Sequence, residues 1–592
     1  MKNINIPFQA SLKDPPVSLP RYKKQTPNSK AQTIDILIGG AAGSGINILE
    51  NILNKAFMLN GYFVYSTKEF MSRVRGGSNT VLLRISNQPI HAPCWHVDLF
   101  VALDKNALPH VQERLTQRSY IIADENDPVM EDKQKNIIPI PMIQTAKDLG
   151  DIRYANSYVA GLLFGILKAD LTLLLKSVLH AFSGDTQNEN ETAMKEGYHY
   201  SEKLTNISLP KIPQTSLMPK SNFHLLDGSS AVGFGSLLGG CTMITSYPMS
   251  PSTGVLNFMA SMSKEFTILV EQSEDEIAAF AMVLGGWFGG ARAMTSTSGG
   301  GFALMSEGIS LSGVSETPAV IYLAQRPGPA TGMPTRTEQG DLNLAIHSGH
   351  GDFGRIILAP GSLEECLNDA YLAFELADRY QVPVILLSDQ YLADTINMMD
   401  KVDFTAYEQR RYIVKSDIDY KRYTLNEEGI SPRGVPGFGQ GIVGSSSHEH
   451  DERGQSTEDY KVREIMVKKR ENKLKRMISE AYRPEIHGKG SIAIIGWGST
   501  KGAIFEALKG VNDPRLFQVH FVWVHPLNLE HLEILKQNKT NIIIENNVSG
   551  QFADILKGHG VHIHHRILQS NGFAFFTDLL QNELSDIIKD IQ

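Results

Sequence analysis

The chain has three cysteines in 592 residues, Cys94, Cys241 and Cys366, widely separated. That is too few for a disulfide framework, and it cannot supply the four thiolates of an iron–sulfur cluster. Long apolar runs are also lacking, and no stretch reaches the length needed to span a bilayer. Met1–Lys30 is polar, carries five prolines and holds no apolar core of signal-peptide length. Cytoplasm is the expected location. Charge of one sign is not in excess either: 56 basic and 64 acidic residues give a net −8, which points to neither nucleic acid nor membrane. A composition of 42% hydrophobic and 20% charged residues is that of an ordinary globular chain. The length sets an expectation of roughly three to four domains.

Short apolar runs alternate with helical patterns along most of the chain, which predicts parallel sheets covered by helices. Ile34 to Ile46 reads as a buried strand, a glycine-rich turn (Gly40, Gly43, Gly45) and a helix start, where free backbone N–H groups favour a phosphate. The spacing departs from the dinucleotide fingerprint, so a packing turn explains it equally well. Arg73 and Arg75, beside a second glycine cluster, are either contacts for an anion or solvated surface. Leu99–Leu103 and Ser119–Ala123 predict strands, and Asn156–Ser183 predicts helix. Pro210–Lys220, with three prolines, reads as a linker. A second α/β unit follows from Asp227, and a third from Ser491. Between them, about 400 to 485 is charged and rich in turns. There His448-Glu-His-Asp-Glu452 is read as a polar loop in preference to a metal site, because no further ligand is placed by the sequence.

The chemistry concentrates between Tyr247 and Asp341. Tyr247-Pro-Met-Ser-Pro-Ser-Thr253 is a hydroxyl-rich turn. Glu271-Gln-Ser-Glu-Asp-Glu276 leads into a helix of small residues, Thr295–Gly301 is a glycine turn, and Gln325–Thr335 carries Arg326. Each follows a predicted strand, which places them at the carboxyl end of a parallel sheet. The acidic run is explained equally well as a complement to the helix macrodipole. Arg326 alone is as well read as an exposed ion pair, and Ser298 with its neighbours as a helix N-cap.

These residues resemble the alpha subunit of 2-oxoacid:ferredoxin oxidoreductases with a fused N-terminal gamma domain. The family's Tyr-Pro-Ile-Thr-Pro-Ser-Ser reads as Tyr247–Thr253, its acidic helix start as Glu274–Ala279, and its Arg-x-Gly-Pro-x-Thr-Gly-x-Pro-Thr as Arg326–Thr335. The likeness spans about residues 34 to 592. It implies a multidomain α/β fold: an N-terminal extension (1–30), a gamma domain (31–206), a linker (207–222) and a thiamine-enzyme pyrimidine-type domain (223–400). A connecting segment (401–485) and a transketolase C-terminal-like domain (486–592) complete it. Departures are Ser229 and Ser230, where the family commonly has Asn-Glu, and Ser250, where it has Thr.

The resemblance implies oxidative decarboxylation of a 2-oxoacid with coenzyme A, passing electrons to ferredoxin. 2-Oxoglutarate is the expected acid, with pyruvate or a branched-chain acid as alternatives. Glu276, or Glu274 in another register, would meet the pyrimidine of thiamine diphosphate, with Tyr247, Pro248 and Ser298 lining the cofactor. Arg326, Ser250 and Thr335 would hold the acid, and Gly40, Gly43, Gly45 and Arg75 would face the coenzyme A side. The chain has no Gly-Asp-Gly with a distant Asn for magnesium and diphosphate. With the missing cluster cysteines, this implies a separate beta subunit carrying the diphosphate, magnesium and iron–sulfur cluster. Readings from other classes are an NAD-binding oxidoreductase and a non-catalytic assembly or regulatory subunit.

Overall fold

The computed structural model describes residues 32–591 apart from 72–75, 128–135, 179–185, 205–206, 208, 210–211 and 213–222. The N-terminal extension, Arg73 and Arg75, and most of the expected linker lie outside the described residues.

Two large sheets organise the molecule. The first has eight strands. Asn136–Ile140, Leu115–Asp124, Val97–Ala102 and Thr33–Ala42 run parallel. Gly76–Ser86 and Phe63–Glu69 then continue antiparallel. Ile396–Asp400 and Phe223–Asp227, both from the central unit, complete the edge. The second sheet runs Trp523–His525, Ile356–Leu358, Pro383–Asp389, Ala319–Gln325, Ala293–Thr297, Met243–Ser246, Leu269–Gln272. All but the first of these are parallel. Trp523–His525 comes from the C-terminal unit, whose own five-stranded sheet centres on Ile492–Trp497. Sheets dominated by parallel pairs match the expected α/β class. Adjacent units also exchange strands near the boundaries, so the chain is interlocked and not strung as separate beads. One buried apolar cluster runs from Trp287 and Ile321 through Leu386 to Trp497 and Phe552, joining the central and C-terminal units.

In the glycine-rich N-terminal turn, close packing at Gly40 and Gly45 goes with open space at Gly43. Gly40 lies in the strand Thr33–Ala42, and a Cβ there would lie 2.9 Å from Ser44 Oγ. Gly43 and Gly45 take positive φ, 88° and 79°. The side-chain space at Gly45 is taken by Asn156, whose Nδ2 donates to the Ser44 carbonyl at 2.6 Å.

The connecting segment differs from its polar sequence. Arg433 and Arg292 are buried on Asp378, with Arg411 on the same carboxylate. Helix Tyr460–Ser479 buries Lys469 and Lys473 on Glu316, the former at 2.5 Å. Within His448–Glu452, His450 is buried with its ring 4.0 Å from that of Tyr423, and Glu449 pairs with Arg463 and Arg470. Among the described residues no His/Cys/Asp/Glu group is arranged to hold a metal ion. These charges sit inside because each finds an opposite partner, which periodicity in one segment cannot reveal.

Candidate active site

Strands Ala319–Gln325, Ala293–Thr297, Met243–Ser246 and Leu269–Gln272 are neighbours, and each is followed at its carboxyl end by one of the singled-out stretches. In a parallel sheet that edge is where ligands bind.

Helix Glu276–Phe288 begins under an N-cap from Asp275, whose carboxylate accepts from the Ala278 N–H at 2.7 Å. The Thr245 hydroxyl donates to the Ala279 carbonyl at 2.8 Å, fixing the helix on its sheet. Asp275 therefore performs the capping. Glu274, the register alternative, is exposed, whereas Glu276 is 4% exposed and its Oε1 has no hydrogen-bond partner among the described residues. A side chain at Gly301 would occupy the same space, its Cβ 2.6 Å from that oxygen. A buried carboxylate oxygen without a partner is costly, and a glycine at 301 is what leaves room for it. This donor set fits a heterocycle that offers a protonated ring nitrogen.

Ser298 stands at the N-cap position of helix Gly299–Leu304, yet its side chain makes no capping bond and its Oγ is buried without a partner. The capping role read from the sequence is therefore corrected: only the Ser298 carbonyl serves, accepting from Phe302 N at 2.8 Å.

Arg326 follows Gln325 and donates from Nη1 to the Ser250 carbonyl at 2.7 Å, bringing the hydroxyl turn and the arginine loop together. Partial burial draws its guanidinium below the ordinary arginine range, offset in part by the charge of Asp341. Tyr247 and Ser250 are exposed at this edge and Pro248 is half-buried. The Thr335 hydroxyl donates to the Phe70 carbonyl of the N-terminal unit at 2.6 Å. Ser229 and Ser230 open helix Gly228–Leu238. The Ser229 hydroxyl bonds the Ala393 carbonyl at 3.2 Å, and the Ser230 N–H bonds Asp227 at 2.7 Å.

Sequence reading missed Asp341. Its Oδ2 is buried and unpartnered, a Cβ at Gly299 would lie 2.5 Å from that oxygen, and its N–H bonds Gln325 Oε1 at 2.9 Å. Glu276 and Asp341 thus flank one glycine turn, Gly299–Gly301. The only signal for Asp341 was its position closing the motif stretch. Burial, then the charge of Glu338, push its carboxyl up to about 6, with Arg326 opposing. A carboxyl raised in the folded state is a stability deficit at high pH that vanishes as pH falls through 6 towards the unfolded value near 4. Asp341→Asn is therefore expected to stabilise the folded chain above pH 6 by up to about 3 kcal/mol, seen as a higher apparent melting temperature. The gain should disappear below about pH 4, as thermal melts across pH would read.

Two family models match the chain: "pyruvate flavodoxin/ferredoxin oxidoreductase, thiamine diphosphate-binding" over residues 235–469, and "pyruvate ferredoxin/flavodoxin oxidoreductase" over 35–200. A 2-oxoacid:ferredoxin oxidoreductase subunit alpha from Sulfolobus sp. is 31% identical, covering 94% of this chain and 97% of its own length. The 2-oxoglutarate oxidoreductase subunit KorA of Mycobacterium tuberculosis is 29% identical over 66% of this chain and 61% of its own. Among solved structures, the 2-oxoglutarate:ferredoxin oxidoreductase of Magnetococcus marinus, with 2-oxoglutarate, coenzyme A and succinyl-CoA bound, superposes with a TM-score of 0.88. It is 28% identical and is covered over 99% of its chain and 94% of this one. The chain belongs to the 2-oxoacid:ferredoxin oxidoreductases, as an alpha subunit with a thiamine diphosphate-binding domain.

Proposed function

We propose that this subunit acts in the oxidative decarboxylation of 2-oxoglutarate with coenzyme A, giving succinyl-CoA, carbon dioxide and two electrons for ferredoxin. The observation that carries the reading is the unpartnered Glu276 Oε1 facing Gly301, on the same sheet edge as Arg326. 2-Oxoglutarate is favoured by the names of the Magnetococcus and mycobacterial relatives.

In this reading Glu276 would hold the pyrimidine nitrogen of thiamine diphosphate, and Ser298 and Pro248 would stand beside its ring. When bound, that cofactor supplies an electron sink for the carbon left after carbon dioxide departs. Arg326 offers a planar fork to the acid's carboxylate, and Ser250 stands next to it as a hydroxyl donor. The magnesium, the diphosphate and the iron–sulfur cluster belong to a beta subunit. Support for that partner comes from exposed apolar residues along the helix that Glu276 begins, Ile277 (55% exposed), Met282 and Phe288, with Leu304 and Leu311 on the next two. Three unpaired cysteines suit a reducing cytoplasm. No helix among the described residues is long and apolar enough to cross a membrane.

The test is an assay of the complex with its beta subunit across 2-oxoacids. Arg326→Ala is expected to raise KM for the preferred acid about 10- to 100-fold, the value of a charge-assisted bond, with a smaller change in kcat. An unchanged KM would remove Arg326 from the substrate site.

A further inference from the structure

The loop from Pro327 to Thr337 is clasped at its base by both neighbouring units. The single hydroxyl proton of Thr335 goes to the Phe70 carbonyl at 2.6 Å, so in this arrangement the hydroxyl has only lone pairs to offer a substrate. Arg336, the next residue, pairs with Glu69 at 3.3 Å and lies 4.8 Å over the Phe573 ring of the C-terminal unit. Glu69 itself is fixed by the buried Arg114 at 2.9 Å. The Thr337 N–H bonds the Gly572 carbonyl at 3.2 Å, and its hydroxyl accepts from Tyr391 N at 3.2 Å. The tip is not held in this way: Gly328 to Met333 are exposed, closed on themselves by the Met333 N–H to Pro327 carbonyl bond at 3.1 Å.

We propose that Arg336, held between Glu69 and Phe573, is a positioning residue that sets the 2-oxoacid loop relative to Arg326, so that the N-terminal unit controls substrate affinity. The inference rests on the reading of Arg326 as the carboxylate ligand. Arg326 and Arg336 lie at the two ends of one loop. The clasp holds the far end with an ion pair, a stacked ring and a hydroxyl bond, each contributed by a residue remote in sequence. Loss of one such bond lets the loop populate other arrangements. Affinity then falls by the fraction in which the arginine is misplaced. Chemistry at the carbon is untouched in the molecules that remain competent, so the effect is on KM.

The experiment is steady-state kinetics of the complete alpha–beta complex carrying Arg336→Gln, Arg336→Lys or Phe573→Leu. Removing a partly exposed ion pair and a cation–π contact is expected to raise KM for the 2-oxoacid about fivefold in Arg336→Gln, with kcat within about twofold. Arg336→Lys keeps the pair with Glu69 and should recover most of the affinity. Phe573→Leu should raise KM about twofold, as it removes the ring under Arg336 and keeps the pair with Glu69. An unchanged KM in both Arg336→Gln and Phe573→Leu overturns the proposal, as does a fall in kcat with KM constant. Arg326→Ala measured in parallel separates the two readings. If it raises KM while the clasp variants do not, only the clasp fails. If it too leaves KM unchanged, the substrate assignment fails first.

Discussion

Glu276→Gln is expected to reduce 2-oxoacid decarboxylation about 10³-fold, the usual scale for losing a positioned acid–base group, while leaving the melting temperature of the chain unchanged or higher. Glutamine has the volume of glutamate and fits the same space beside Gly301, so packing is preserved. What it cannot do is exchange a proton at Oε1. Stability should not suffer, because Oε1 has no partner among the described residues and a buried, unmatched carboxylate oxygen is a cost to folding. The opposition of the two readouts is the diagnostic: a structural glutamate would lose stability on substitution, whereas a functional one need lose only activity. Assay of the variant with its beta partner, beside a thermal melt of the chain alone, supplies both. Activity within tenfold of the parent would place the proton relay elsewhere.

The second large effect concerns Asp378, remote from the chemistry in sequence but tied to it through one helix. Its carboxylate receives Arg292 at 3.0 Å and Arg411 at 3.4 Å, and Arg433 on the other oxygen. Those arginines hold the distal end of the Glu276 helix: Arg433 Nη1 bonds the Trp287 carbonyl at 3.0 Å and Arg411 Nη2 bonds the Gly290 carbonyl at 2.7 Å. Cations at a helix C-terminus are favourable, but only while an acid compensates their burial. Asp378→Ala strands the three guanidinium groups and is expected to destabilise the chain by about 3–5 kcal/mol, read by urea or thermal unfolding. The guanidinium groups hold the Asp378 carboxyl far below the ordinary range despite its burial. A depressed carboxyl contributes stability above its unfolded value near 4 and loses it as pH falls through the folded one. The parent should therefore lose this increment only in strong acid, and an Asp378→Ala variant should be weak at neutral pH already. A neutral-pH stability equal to the parent's would show that the cluster is not a keystone.

Much of the architecture was legible in the sequence, because strand and helix periods are local. Ile34–Ile38, Leu99–Leu103, Ala293–Ser296 and Ala319–Ala324 announce themselves as short apolar runs bounded by glycine or polar turns, and strands occupy those places. Local pattern does not say which strand lies beside which. The loan of Ile396–Asp400 and Phe223–Asp227 to the N-terminal sheet, and of Trp523–His525 to the central one, depends on pairings across hundreds of residues. The connecting segment shows the same limit: Lys469, Lys473, Arg422 and Arg433 look like solvated charge until Glu316 and Asp378 are placed beneath them.

The sequence by itself determined the chemical inventory: a glutamate entering a helix of small residues, an arginine in a proline–glycine loop, hydroxyls between them, and too few cysteines for a cluster. Residue type and spacing are enough for that, since a side chain's chemistry travels with it. Only the tertiary structure buried Glu276 and left Glu274 exposed, set Asp341 against Gly299, and gave the Thr335 proton to Phe70. Those outcomes depend on burial and on which donor meets which acceptor, and both are fixed only when distant stretches of chain pack together.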